Sequence, residues 1–156
     1  MHDIKGLDAD AVIVGFYEDV RPLKGAAGAL DWLLCGALSQ LIIQNKVRGA
    51  LGEVALLTSR GKIPADKIFM LGLGQRNAST PEALRAAARA AAVSAVNAGV
   101  ARAALDCFPL GGVPNDDVVA AFREGLVDGA GTHPIDFTLL APDPQAFERM
   151  ARIVRA

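Results

Sequence analysis

The sequence predicts a three-layer α/β/α fold built on a mixed, mostly parallel central sheet. Three observations carry that prediction. Short β-branched and apolar runs alternate with longer stretches of helical periodicity along the chain. The strand-like runs are apolar enough to be covered by helices rather than exposed to water. Alanine fills 29 positions while aromatic residues make up only 5%, and small side chains let helices sit close to a sheet.

Ala11-Val12-Ile13-Val14-Gly15-Phe16 reads as the first buried strand. Pro22 and Gly25 break the chain, and residues 26–45 then read as one long helix. Leu30, Leu34, Ala37, Leu38 and Leu41 recur at the spacing of one buried face. Trp32, Leu33, Ile42 and Ile43 add apolar surface elsewhere on that cylinder. Val54 to Thr58 is the second strand, and residues 68–71 are the third, ending in Gly72-Leu73-Gly74. The next helix has a clear start: Thr80 can cap it, Pro81 suits its first position, and Glu82 suits the positive end of its dipole. It stops at Gly99, with Leu84, Ala88, Ala91 and Ala95 facing the core and Arg85 and Arg89 facing water. Residues 103–107 form a fourth strand. Asn115 caps a helix with Asp116 and Asp117 in its first turn and Val118, Phe122 and Leu126 on its apolar face. Residues 135–140 form a fifth strand, and a last helix opens at Asp143-Pro144. With 156 residues and no linker, repeat or low-complexity tract, residues 1–156 read as one domain.

Composition excludes several classes of function. Hydrophobic residues make up 52%, charged residues 21%, and the net charge is −1. That is no basic footprint for nucleic acid and no polybasic membrane anchor. No apolar run approaches the roughly 20 residues of a membrane span, and the N-terminus lacks signal-peptide order. Cys35 and Cys107, far apart in apolar segments, read as buried free thiols of a cytoplasmic protein. His2 and His133 have no metal-ligand spacing around them, and no nucleophile elbow or Cys-x-x-Cys is present. The expectation is therefore no metal and no cofactor.

Two glycine-rich turns are the candidate ligand sites. Gly25-Ala26-Ala27-Gly28 opens the long helix, where free N–H groups can cradle a phosphate. Gly72-Leu73-Gly74 follows the third strand, at the sheet end where ligands of open α/β folds collect. Neither is a dinucleotide fingerprint or a Walker loop. The same glycines equally serve tight turns and close helix–sheet packing. For hydrolytic chemistry only isolated polar residues are at hand, such as Asp31, Asn77 and Asp106.

A resemblance runs along most of the chain. Arg21-Pro22-Leu23, Gly25 to Asp31 and Gly49-Ala50-Leu51-Gly52-Glu53 resemble the N-terminal domain of the leucine aminopeptidase (cytosol aminopeptidase) family. So do Met70 to Gly74, Thr80-Pro81-Glu82-x-Leu84-Arg85, Gly99-Val100 and Glu124-Gly125-Leu126-Val127-Asp128-Gly129-Ala130. The resemblance implies a macro-domain-like fold, and the enzymes it points to are hexamers. Their two metal ions and catalytic residues belong to a C-terminal domain whose Asn-Thr-Asp-Ala-Glu-Gly-Arg signature is not in this sequence, so no catalytic residue carries over. Macro domains bind ADP-ribose, and their helix-opening glycine loop is similar to residues 25–30. The expected function is thus that of a non-catalytic, stand-alone domain of this type, acting in self-association or in binding a partner protein. A nucleotide- or ADP-ribose-binding module is the alternative. The apolar surplus on residues 26–45 exceeds one sheet-facing stripe and predicts a homo-oligomer, a dimer first.

Overall fold

The computed structural model describes residues 8–106 and 116–139. Five strands form one sheet: β1 (Ala11–Phe16), β2 (Val54–Thr58), β3 (Lys67–Gly72), β4 (Arg102–Asp106) and β5 (Asp136–Leu139), in the order β2-β3-β1-β4-β5. β1 runs parallel to β3 and β4, β4 runs parallel to β5, and β2 is antiparallel to β3. The sheet is therefore mixed and mostly parallel, as expected. All five strands lie within a residue or two of the positions read from the sequence. Asn115, Cys107, His2 and the helix expected from Asp143 lie outside the described residues.

The central strand β1 is buried along its whole length, so both faces need cover. On one face Ala11 and Ile13 join Phe69, Leu71, Ala103 and Leu105 beneath α3 (Pro81–Asn97) and α4 (Asp116–Ala130). On the other, Val12, Val14 and Phe16 join Ile68 and Met70 beneath α1 (Gly25–Leu33) and α2 (Ala37–Ile43). Helix α3 starts and stops where the sequence puts it. Thr80 Oγ1 accepts from Ala83 N at 3.1 Å, and Gly99 at φ 72° closes the end as Val100 N–H donates to Ala95 O at 3.0 Å.

The expected single helix over 26–45 is corrected: it is two helices bent by 105°. A Schellman closure falls in its middle. Cys35 takes the left-handed conformation at φ 56°, and Gly36 N–H donates back to Asp31 O at 2.8 Å. The same closure recurs at Asn45, where Lys46 N–H donates to Leu41 O at 2.9 Å. Asp31 secures the bend, because its carboxylate accepts Ser39 N at 2.9 Å and the Ser39 hydroxyl. Leu30 and Leu38 remain buried, but the bend leaves Ala37 exposed and Leu34 and Leu41 half-buried. Cys35, expected as a buried thiol, is exposed on the outside of this bend. No single helix among the described residues is long and apolar enough to cross a membrane.

Helices α3 and α4 approach closely because α4 presents two glycines one turn apart. A Cβ at Gly125 would lie 2.3 Å from Arg85 O, and one at Gly129 would lie 2.4 Å from Arg89 O. Exposed pairs Arg85–Glu124 at 3.8 Å and Arg89–Asp128 at 3.1 Å flank this seam and add little. Gly129→Ala is expected to force the helices apart and cost about 1–3 kcal/mol, the usual range for overpacking; urea unfolding monitored by circular dichroism checks it.

At the amino end of the sheet, Asp10 binds the start of β4, accepting Arg102 N at 2.9 Å and Ala101 N at 3.0 Å. These main-chain amides, with the Arg102 charge adding to them, hold the Asp10 carboxyl below its ordinary value of 3.8. A depressed carboxylate stabilises the fold above its unfolded pKa, and that contribution fades as pH falls through the lower folded value. Asp10→Asn is therefore expected to lower the melting temperature at neutral pH, with the gap to wild type closing below about pH 4. Thermal melts across pH 2–7 measure this.

Candidate functional site

The carboxyl ends of β3, β1 and β4 lie side by side, so both glycine turns come to the same end of the sheet. They flank β1 there. What they do with their amides differs.

Gly72-Leu73-Gly74 spends all three N–H groups on the chain itself. Gly72 donates to Glu53 O at 2.7 Å, Leu73 to Phe16 O at 2.9 Å and Gly74 to Gly49 O at 2.9 Å. The carbonyls of Gly72 and Gly74 accept Gly52 N and Glu18 N in return. A Cβ at Gly72 would lie 2.0 Å from Ala50 O. These glycines admit the 49–52 loop against the strand end, and the turn expected as a ligand site has no amide left to offer.

The turn Gly25-Ala26-Ala27-Gly28 opens α1, but part of its anion site is filled. Ala26 N–H donates to Asp106 Oδ2 at 2.8 Å. Asp106 is buried at the end of β4 and reaches across to the helix start, where the dipole favours its charge. Gly28 N–H is taken by Lys24 O at 3.3 Å, and a Cβ at Gly28 would meet Leu23 O at 2.5 Å. The amides of Gly25 and Ala27 keep no protein partner among the described residues. Sequence reasoning had Asp106 only as an isolated polar residue; an aspartate ending an Ala-Ala-Leu strand was the available signal.

Neighbouring carboxylates are used in the same way. Glu53 Oε1 accepts Arg48 N and Gly49 N, each at 2.8 Å, and Asp19 Oδ1 accepts Arg76 N at 2.9 Å. Arg21 threads the loop after β1, donating to Tyr17 O and Val20 O at 2.7 Å and to Arg48 O at 3.3 Å, with its guanidinium 5.8 Å from the Phe16 ring centre. The other polar candidates are not drawn into a common cluster with these groups: Asp31 is bound to Ser39, and Asn77 sits exposed in the 3-10 turn Arg76–Ala78. Among the described residues, no group of three His, Cys, Asp or Glu side chains is placed to hold a metal ion.

Segments 21–23, 49–53 and 70–74, which meet at this end of the sheet, are among those that resemble the aminopeptidase family, and comparison with known proteins shows the family. The profile of the cytosol aminopeptidase family, N-terminal domain, matches residues 13–130. This chain belongs to that family. The probable cytosol aminopeptidase of Geobacter sulfurreducens is 35% identical over 125 residues, covering 80% of this chain and 25% of that protein. The counterpart from Nitrosococcus oceani is 32% identical over 120 residues, covering 77% of this chain and 23% of its own length. The chain thus spans about a quarter of the length of these curated relatives.

The fold also matches solved structures. A mutant of tomato leucine aminopeptidase superposes with a TM-score of 0.74 at 18% identity, covering 97% of this chain and 34% of that one. A mutant of the Oceanobacillus iheyensis macrodomain gives 0.76 at 13% identity, over 99% and 88% of the two chains. The Trypanosoma brucei macrodomain, solved in complex with ADP, gives 0.74 at 16% identity, over 97% and 65%. The fold of this family member is macro-domain-like.

Asp106→Ala is expected to destabilise the fold by about 1–3 kcal/mol, since it leaves the Ala26 amide unsatisfied in a buried place. Asp106→Asn, which keeps an acceptor oxygen, should cost less. Denaturant unfolding of the two variants beside wild type gives the comparison.

Proposed function

We propose that this domain of the aminopeptidase family works in the cytosol by association, first with a second copy of itself, and not by catalysis. The observation that carries the reading is the apolar surface left outside the two cores. Trp32 is 85% exposed and Ile43 71% exposed, at the ends of the two bent helices. Large apolar side chains of this kind mark contact surfaces when they gather, and a symmetric dimer is the commonest way to cover them. Asp106, Glu53 and Asp19 near the carboxyl edge support the same reading, because each already accepts a main-chain amide. A partner protein is the other occupant for this surface.

A second reading, a nucleotide or ADP-ribose module, has one observation in its favour: the amides of Gly25 and Ala27, without a partner among the described residues, in a fold shared with a macrodomain solved with ADP. Against it stands the Asp106 carboxylate at the same helix start, which repels a phosphate as it satisfies Ala26.

Light scattering coupled to size exclusion at micromolar concentration should give a mass near twice 16.2 kDa. Leucine-p-nitroanilide should not be turned over by the pure chain with added Mn²⁺ or Zn²⁺, and ADP-ribose at millimolar concentration should leave its melting temperature unchanged. Metal-dependent turnover would defeat the non-catalytic reading, and a saturable stabilisation by ADP-ribose would favour the nucleotide module instead.

A further inference from the structure

We propose that the outer edge of β2 is the self-association surface, pairing antiparallel with β2 of a second copy of this chain about a two-fold axis. This rests on the association reading above and names its surface. β2 ends the sheet and pairs only with β3 among the described residues. Gly72 N–H donates to Glu53 O and Ser59 N–H to Asp66 O, so odd-numbered main-chain groups from 53 to 59 face β3. Alternation turns the N–H and C=O groups of Val54, Leu56 and Thr58 outward, and these have no partner among the described residues. Edge strands are normally protected by a charge, a proline or a bulge. Val54-Ala55-Leu56-Leu57-Thr58 contains no charge or proline, and its register with β3 is continuous from Val54↔Leu71 to Thr58↔Lys67.

Leucines of the strand reach both faces beside this edge. Leu56, at the centre of the strand, is 53% exposed. On the opposite face, an open cleft of about 490 Å³ runs between α2 and β2, lined by Leu41, Leu57 and Arg60 among others. Charge order selects the second copy and its direction. Glu53 precedes the strand, and Arg60 and Lys62 follow it. A two-fold axis at Leu56 sets Val54 opposite Thr58 of the second copy and Leu56 opposite Leu56, allowing about six main-chain hydrogen bonds. It also brings the Glu53 end of each strand beside the basic end of the other. Parallel pairing would stack like charge on like charge. One strand thus carries both halves of its own complement.

Three variants test the edge. Leu56→Lys places a charge on an already exposed position, and Leu56→Pro removes an outward N–H that β3 does not use. Both should halve the mass seen by light scattering while the far-ultraviolet circular dichroism stays that of wild type. Leu56→Cys, made with Cys35→Ser and Cys107→Ser, should form a reducible covalent dimer under mild oxidation, since facing Cα atoms of such a pair lie about 5.5 Å apart, within disulfide reach. If wild type is dimeric but Leu56→Lys remains so, and Leu56→Cys does not cross-link, the edge assignment falls and the association reading stands on another surface. If wild type is a monomer at micromolar concentration, the association reading falls and the edge with it.

Discussion

A strand with no exposed residue dictates the rest of this domain. β1 is buried from Ala11 to Phe16, and its alternating side chains feed two separate cores, Ala11 and Ile13 on one face and Val12, Val14 and Phe16 on the other. Each face must then be roofed by helices, and parallel pairing with β3 and β4 on both sides is the arrangement that leaves both faces free for them. The loops crowd together at the strand ends. Their main-chain groups must find partners within the chain.

Acidic side chains meet much of that need. Asp10 takes two amides at the start of β4, Glu53 takes two in the 48–49 turn, Asp19 takes the Arg76 amide, and Asp106 takes the first turn of α1. A carboxylate accepting main-chain N–H groups is fixed in place, which makes it a good tie between distant segments. The same crowding explains the glycines. Gly72 is needed because Ala50 O comes within bonding reach of where its Cβ would be, and Gly49 because its left-handed backbone rests on Phe16 and Glu18.

Much of this architecture is legible in the sequence, and the rest fails for identifiable reasons. Strand positions and the ends of α3 are written in local signals: β-branched runs, the Thr80-Pro81 start and the Gly99 stop. The break between α1 and α2 is only half written: of its two left-handed residues, Gly36 suits that conformation, but Cys35 is a residue type with no preference for it. A continuous apolar pattern across 30–41 therefore suggests one cylinder where two half-cylinders share the burial, and it wrongly draws Cys35 inside. The glycine turns show the limit most clearly. Glycine at 72 and 74 announces a close approach, but whether a ligand or the chain itself makes it depends on residues 49–52, which local reading cannot place. Asp106 is likewise separated from Ala26 by 80 positions.

The two helical layers end up physically unlike each other. α3 and α4 are 17 and 15 residues long and interlock through alanines and the Gly125–Gly129 pair, so that face of the sheet is closed by main chain lying almost on main chain. The opposite layer has helices of nine and seven residues set at a steep angle, and two short rods cannot cover what one long helix would. An open cleft remains between α2 and β2, and Trp32 stays exposed on α1. Overpacking limits how closely α3 and α4 can approach each other, whereas the cleft beside α2 stays open. The bend that breaks the single-helix pattern is thus also what leaves the α1–α2 layer the thinner of the two.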